Sequence, residues 1–237
     1  MKRTLFVIFL VLFMNTWISA QKQKPVVVKA GTSLNEYFPM SERYLYPEFT
    51  QGKGFFQNNM IVPCLFNLNL LSGEMEFISS KDTLLIAKKT EIISIVVAKD
   101  TFYYHDAYLQ LIQSGPLKLF LKRGLKIQDI RKEGAMGTIN RTAASDSYSF
   151  IVLGKRSFDL KPTEDVVLQK TQEYFYSLWG GDFIPYTRKN IQKVLQGREN
   201  VIKDFIKSNS TDFDSREDII RLTDYVNMLL SKNSGKP

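Results

Sequence analysis

The sequence predicts an α+β protein with a mainly antiparallel β body over about residues 26–186, followed by a C-terminal cluster of three short helices. Three observations predict this class. Short runs rich in β-branched and aromatic residues recur between residues 44 and 160, with turn residues about every eight to twelve positions. Several of these runs alternate apolar and polar residues with a period of two, as strands do. After Tyr186 the apolar period becomes helical.

Turn residues such as Ser72-Gly73, Ser114-Gly115 and Arg123-Gly124 separate the predicted strands. Gly180-Gly181 lies between two aromatic runs and predicts a hairpin, because glycine adopts positive φ without steric cost. The predicted strands cover residues 26–28, 45–49, 54–57, 61–71, 74–79, 83–88, 91–98, 101–104, 107–113, 116–121, 148–153, 166–169 and 173–179.

Alternation is clearest in residues 116–122, where three leucines fall on one face and Lys118, Phe120 and Lys122 fall on the other. A strand with one apolar and one polar face is typical of an antiparallel sheet that is packed on one side and wet on the other. We therefore expect the leucine face of this strand to point into the core.

The remaining segments are a loop and three helices. Residues 132–146 are small, polar and glycine-bearing, which predicts a long exposed loop. Thr187 is the predicted N-cap of a helix through residue 195, a second helix covers residues 199–207, and a third begins after Ser215 and runs to about residue 230. Helices of this length are not stable alone, so we expect them to pack on the sheet or on each other.

The N-terminus has the three-part pattern of a secretory signal peptide. Lys2 and Arg3 precede an unbroken apolar run over residues 5–14, and a more polar stretch ends at Ala20. The competing interpretation is a retained membrane anchor, but a spanning helix needs about 20 apolar residues. We predict a signal peptide over residues 1–20, a β-rich domain over 21–161, and a β-hairpin with a packed helical region over 162–237.

The composition is that of an exported globular protein. The net charge is +8, and the chain stays basic after Lys2 and Arg3 leave with the signal, which favours anionic surfaces or polymers as partners. Cys64 is the single cysteine, so no internal disulfide forms, and its apolar neighbours predict a small buried hydrophobe. The absence of disulfides and the short signal favour a bacterial envelope, as a periplasmic, outer-membrane-associated or extracellular protein. No further transmembrane span is predicted.

Parts of the chain resemble an uncharacterised family of secreted or envelope proteins from Bacteroidota-type bacteria. The matching features are Gly52 and Gly54 before a strand, Asn67 and Asn69 after it, and Phe77 in the next hairpin. The C-terminal features are residues 187–190, 205–209, 212–213, 217–220 and 225–227. The family has no assigned activity, so the resemblance supports the export and the architecture and implies no site residues.

Several kinds of chemistry find no support in the sequence. His105 is the only histidine, and its neighbour Asp106 would point to the opposite face of an extended chain, so a polar turn histidine is favoured over a catalytic base. One His and one Cys do not supply a zinc site. Asp212 and Asp214 begin like a calcium loop, but the acidic and glycine positions that must follow are lacking. We predict no catalytic residue, metal or cofactor.

The candidate binding residues are basic and aromatic. The most distinct charge cluster consists of Lys118, Lys122, Arg123, Lys126, Arg131 and Lys132 and lies next to Phe120 in the sequence; the first four are the candidate binding residues. Such a strip binds anionic polymer in some proteins, whereas in others it is simply a solvated face.

Trp179 stands in an aromatic hairpin, which is either a carbohydrate-stacking platform or core. The other aromatic residues of that hairpin are Tyr174, Tyr176, Phe183 and Tyr186.

The sequence therefore predicts an exported binding or assembly module that is not an enzyme. The expected partners are an anionic envelope polymer, lipid head groups or another envelope protein, and not nucleic acid. The alternative is a hydrolase of envelope polymers that uses Glu74 and Glu76, which lie on one face of a predicted strand. A solvated sheet face would give the same pattern of carboxylates.

Overall fold

The structure is a computed structural model that describes residues 24–133, 139–143 and 161–234. The predicted signal peptide and the predicted strand at residues 148–153 lie outside the described residues. The strands are β1 (Val26–Val28), β2 (Thr50–Phe56), β3 (Ile61–Asn69), β4 (Glu74–Ser79), β5 (Asp82–Leu85), β6 (Ile92–Val97), β7 (Asp100–His105), β8 (Ala107–Gln113), β9 (Leu117–Glu133), β10 (Ile139–Ala143), β11 (Asp165–Leu178) and β12 (Ile184–Pro185). The α-helices are α1 (Leu34–Tyr37), α2 (Met40–Arg43), α3 (Arg188–Ile191), α4 (Glu199–Ser208) and α5 (Arg216–Ser234).

The described strands form one 12-stranded sheet in the order β1-β11-β9-β8-β7-β6-β2-β3-β4-β5, with β10 on β9 and β12 on β11. Every pairing is antiparallel. The α+β class with a mainly antiparallel sheet is confirmed, and the longer helices lie at the C-terminus. The sheet is continuous across the predicted domain boundary at residue 162, because β11 pairs with β9; the division into domains stays a prediction.

Several predicted elements differ from those observed. Residues 45–49 form no strand, and Arg123-Gly124 lies inside β9 and is not a turn. The two strands predicted at residues 166–169 and 173–179 are one strand, β11, which pairs with β9 along its whole length. Within the predicted loop at residues 132–146, residues 132–133 belong to β9 and residues 139–143 form β10, which pairs with β9.

The C-terminal helices are unequal in length. The helix predicted from Thr187 to residue 195 is the four-residue α3, whereas α4 has 10 residues and α5 has 19. The Asp218 N–H donates to Ser215 Oγ at 3.3 Å, so the predicted cap before α5 is present. Two further short helices, α1 and α2, lie between β1 and β2 and were not predicted.

Three clusters of buried side chains hold these elements together. The helix-side core joins one face of β9 and β11 to the helices through Leu117, Leu119, Leu121, Tyr174, Tyr176, Tyr186, Ile191, Ile202, Ile219 and Val226. The N-terminal core joins β1 and α1 to the far end of the same two strands through Val28, Leu34, Phe38, Ile127, Ile130 and Leu168. The curl core lies among β3, β4, β6, β7 and β8 through Phe66, Leu68, Met75, Ile95, Val97, Phe102 and Tyr108.

The sheet curls around the curl core, because β4 contacts β8 although four strands separate them in the sheet order. Gly52 makes the tight curl possible. A methyl group at this position would lie 2.5 Å from the Val96 carbonyl oxygen and 2.9 Å from the Phe66 ring. Phe66 packs directly over the glycine backbone, which no larger residue would permit.

A buried polar network covers the outer side of the curl. The Glu76 carboxylate is 5% exposed and accepts hydrogen bonds from the Tyr44 hydroxyl at 2.6 Å and the Asn69 amide at 2.9 Å. Asn67 bonds both the N–H and the carbonyl oxygen of Tyr46. Tyr44 and the following residues 45–49, which were predicted as a strand, are thus held to β3 and β4 by side chains. The prediction of a solvated face is therefore wrong for Glu76, since this segment covers it.

Candidate functional site

The four basic residues predicted to bind polymer lie on two faces of β9. Lys118, Lys122 and Lys126 alternate with the helix-side leucines and fall on the opposite face, whereas Arg123 falls on the helix side. Lys126 is exposed, and it already has an interaction within the protein. The predicted basic strip is therefore not one surface, because its three lysines lie on one face of the sheet and Arg123 lies on the other.

Two of these cations are occupied by the protein itself. Lys122 pairs with the Glu173 carboxylate across the strands at 3.0 Å. Arg123 donates to the Gln110 side chain, and burial lowers the pKa of its guanidinium. Lys118 differs from both, because its ammonium lies 6.0 Å from the centroid of the Tyr103 ring and pairs with no carboxylate of the described residues. Of the predicted basic residues, Lys118 has the ammonium most available to a ligand.

Trp179 forms the tip of the β11–β12 hairpin. The N–H of Gly181 donates to the Leu178 carbonyl oxygen at 3.0 Å, and Trp179 and Gly180 have φ of 54° and 78°. Two successive positive φ values define a type I′ turn. The hairpin was predicted at Gly180-Gly181, so the turn lies one residue earlier and places a bulky aromatic residue where glycine or asparagine is preferred.

The indole of Trp179 is 63% exposed. A non-glycine residue in the left-handed region costs about 1 kcal/mol or more, and an exposed aromatic ring recovers little of this by burial. The local structure therefore gives no reason for tryptophan at this turn, and a role outside the fold would explain it.

Trp179 lines a pocket of about 540 Å³ at the junction of the hairpin, α3 and the end of α5. We call it the Trp179 pocket. Its apolar lining is Tyr176, Leu178, Ile184, Val194, Leu195 and Leu230, and its polar lining is Asn190, Lys193, Gln196 and Arg198. A largely apolar concavity of this size with a few polar side chains is the usual form of a small-ligand site.

The charge of the pocket is positive. Lys193 and Arg198 line it, and none of the described residues that line it is acidic. The nearest acidic residue in the sequence, Glu199, accepts a hydrogen bond from the Gly197 N–H at 3.0 Å. Backbone N–H groups of Glu199 itself and of Gly197 lower the pKa of its carboxyl. The carboxylate is thus used to close its own turn, and the pocket favours an anionic ligand.

Side-chain hydrogen bonds fix the wall of the pocket. Thr187 Oγ1 accepts from the Asn190 N–H at 3.2 Å, and the Asn190 amide donates to the Pro185 carbonyl oxygen at 3.0 Å. The Tyr176 hydroxyl donates to the Asn190 carbonyl oxygen at 3.2 Å. The predicted N-cap at Thr187 is therefore present, and it anchors the short α3 to both strands of the hairpin.

The aromatic residues of the hairpin divide between core and surface. Tyr174, Tyr176 and Tyr186 are 8%, 4% and 5% exposed and belong to the helix-side core. Trp179 lies at the surface, and Phe183 is half-buried. The core interpretation is thus confirmed for the three tyrosines, and a stacking role for Trp179 stays a prediction.

Sequence reasoning missed the pocket's own polar residues. Lys193 and Arg198 follow Arg188 and Lys189 in the chain, so a local excess of positive charge was visible after the hairpin. The sequence predicts a helix through residue 195, whereas the observed helix ends at Ile191 and the residues that follow it line the pocket.

Both carboxylates of the hydrolase alternative have partners within the protein. Both oxygens of Glu76 are engaged, as described above, and the Glu74 carboxylate pairs with Lys89. His105 is at the end of β7, and its ring contacts Phe183 at 5.3 Å between centroids. Within residues 24–133, 139–143 and 161–234, no group of His, Cys, Asp and Glu side chains is arranged to hold a metal ion.

A larger depression of about 740 Å³ lies on β2 and β3 beside Cys64. Among the described residues that line this depression, Lys53 is the only charged one and none is aromatic. Cys64 is half-buried and donates to the Ile78 carbonyl oxygen, so it packs as a small side chain. The Trp179 pocket combines an aromatic ring, cations and amides, and is the better candidate site.

Comparisons with protein-family models, with curated proteins and with solved structures found no match to this chain. In the described part of the chain, no helix has the length and apolarity needed to cross a bilayer.

Proposed function

We propose that this protein is an exported binding module, not an enzyme, and that the Trp179 pocket holds an acidic sugar unit of an envelope polymer. The observation that carries the proposal is the exposed indole of Trp179, held in a left-handed backbone conformation at a cationic pocket. Such a residue is costly for the fold and useful for a ligand.

The side chains of the pocket match the chemistry of an acidic sugar. A sugar ring has a flat apolar C–H face that packs on an aromatic ring, and the indole N–H adds a hydrogen-bond donor. Asn190 and Gln196 have amides that can bond hydroxyl groups. Lys193 and Arg198 provide the positive charge that a carboxylate or sulfate group requires.

Export and the surroundings of the protein support this choice of ligand. The signal-like N-terminus and the positive net charge support the proposal that a basic protein is exported to a surrounding of anionic envelope polymers. The Bacteroidota resemblance and the envelope location stay predictions. Lipid head groups share the anionic chemistry but lack the sugar ring that would use Trp179, so we favour the polymer.

Calorimetry with acidic and neutral polysaccharides of matched backbone tests the proposal. We expect saturable binding to the acidic polymer that weakens with salt, because exposed charges are screened within about 10 Å at 0.1 M. Trp179→Ala should weaken binding by about ten-fold or more, the usual effect of removing a central aromatic anchor. Lys193→Gln should weaken it less and reduce the salt dependence.

Tyr37→Ala and Lys207→Gln are the matched controls, since both side chains are exposed and lie outside the pocket. Equal affinity for neutral and acidic polymers, or an unchanged affinity in Trp179→Ala, would overturn the proposal. Binding to anionic lipid vesicles with no binding to polysaccharide would assign the pocket to head groups instead.

A further inference from the structure

A second aromatic surface lies on the other side of the β11–β12 hairpin. Phe183 contacts Phe120 with ring centroids 4.9 Å apart and His105 at 5.3 Å, and Tyr103 contacts Phe120 at 5.5 Å. We call these rings and Lys118 the aromatic face. Phe120 is 1% exposed and forms its base, whereas Tyr103 and Phe183 are half-buried.

The aromatic face has an available cation. The Lys118 ammonium lies 6.0 Å from the Tyr103 ring centroid, and no carboxylate of the described residues pairs with it. Lys122, on the same face of β9, is neutralised by Glu173. Tyr103 and Lys118 combine an aromatic ring with a positive charge. Trp179 and Lys193 are the corresponding pair in the Trp179 pocket.

The two surfaces meet at the hairpin. Phe183 and Ile184 are neighbours in the returning strand, and successive strand residues point to opposite faces. Phe183 accordingly belongs to the aromatic face, and Ile184 lines the Trp179 pocket. The backbone N–H of Trp179 donates to the carbonyl oxygen of Pro116 at 2.8 Å, and Pro116 lies two residues before Lys118. The two surfaces therefore lie on opposite faces of the hairpin, and a ligand that contacts both must pass around the edge formed by β12, which pairs only with β11 among the described strands.

We infer that the ligand is an extended acidic polysaccharide that passes from the Trp179 pocket across the hairpin to the aromatic face, where Tyr103 and Lys118 hold a second acidic unit. The inference rests on the proposed function, because it extends the same binding site. A chain that occupies both surfaces binds the second one intramolecularly, so affinity rises with chain length. The protein would then select long polymers over the short fragments released by their degradation.

A length series of one acidic oligosaccharide tests the inference, with affinity measured for a disaccharide and for chains of about eight units. Lys118→Glu should weaken binding of the long chain about ten-fold, because it replaces attraction by repulsion, and leave the disaccharide unchanged. Lys118→Gln should weaken the long chain by about three-fold. Lys53→Gln removes an exposed cation on β2 and is the matched control. Thermal unfolding of each variant verifies that it is folded.

Trp179→Ala separates the two proposals, and we expect it to weaken both chain lengths. If it does so while Lys118→Glu changes neither length, the extended site is overturned and the pocket stands. If Lys118→Glu weakens both lengths equally, the charge acts on the pocket and the extended site is also overturned. If Trp179→Ala changes neither length, or if the disaccharide and the long chain both fail to bind, the proposed function itself fails.

Discussion

Individual residues carry the curl of the sheet, and Gly52 is the clearest case. Its hydrogen atom faces the Val96 carbonyl oxygen and the Phe66 ring at distances that no methyl group tolerates. Gly124 lies in β9 with only Thr171 Oγ1 near, at 3.8 Å from a methyl group built there. Two glycines within strands of one sheet thus have opposite steric surroundings.

We predict that Gly52→Ala lowers the free energy of unfolding by about 1–3 kcal/mol, the usual cost of overpacking a core. Gly124→Ala should be close to neutral, because the new methyl group makes an ordinary contact. Urea unfolding of the two variants measures the difference. Similar effects in both would mean that strand propensity, and not the approach of Phe66, determines the cost.

At the pocket, single residues show where sequence reasoning stops. Trp179 was a candidate because it stands in an aromatic hairpin, a pattern that is either a stacking platform or core, and its binding role stays a prediction. Lys118 was identified with its neighbours, but the sequence could not show that Glu173 neutralises Lys122 or that Gln110 holds Arg123. Those partners come from distant parts of the chain, and only the pairing of β8, β9 and β11 brings them together.

At the scale of elements, the β11–β12 hairpin has a strained turn at Trp179, the residue that we propose binds the ligand. We predict that Trp179→Gly leaves the melting temperature unchanged or raises it slightly, because glycine relieves a cost of about 1 kcal/mol at positive φ. The same variant should lose binding to the acidic polymer. Thermal unfolding and calorimetry on one preparation measure both. A marked loss of stability would show that the indole supports the fold and would remove the reason for its functional role.

Helix α5 packs on β9 through the helix-side core, and the side-chain amide of Asn227 also bonds the backbone of β9. Asn227 accepts from the Leu117 N–H at 2.8 Å and donates to the Leu117 carbonyl oxygen at 3.0 Å, as a neighbouring strand would. We predict that Asn227→Leu costs about 1–3 kcal/mol, since both backbone groups of Leu117 lose their partner. Met228→Leu, at an exposed position of the same helix, is the control in denaturant unfolding. An equal stability of the two variants would contradict this role.

Strands that depend on local pattern were predicted well, and elements that depend on distant partners were not. Residues 74–79 and 107–113 were predicted at their observed bounds, because alternation and flanking turns mark them. Residues 45–49 have the composition of a strand but are held by the amide of Asn67, and the preceding Tyr44 is held by the carboxylate of Glu76. Residues 116–121 continue through Gly124 into a longer strand because β11 pairs with β9 from Leu117 to Arg131.

At the scale of the whole molecule, buried phenols link stability to pH. Burial raises the pKa of Tyr108 and Tyr186, which are 2% and 5% exposed, well above the usual value. The folded protein therefore keeps both phenols protonated where the unfolded chain ionises them, near pH 10. Their contribution is complete below that pH and is lost as the pH rises above it.

We predict that the free energy of unfolding falls above about pH 10 by about 1.4 kcal/mol per pH unit for each of these tyrosines. Denaturant unfolding between about pH 8 and 11 measures the slope. Tyr186→Phe should be less stable at neutral pH, since Tyr186 shares a hydrogen bond with Thr223, but should show a shallower decline. An unchanged slope in this variant would exclude Tyr186 as a source of the pH dependence.

The pairing of β1 with β11 determines the order in which the chain can fold. Val26 pairs with Leu168, and Lys29 meets Asp165 at a separation of 136 residues. The first strand therefore has no partner until nearly three quarters of the polypeptide is available, and closing so long a loop is slow. A first strand whose partner is made so late stays unpaired through most of synthesis, a property that would suit the export we propose.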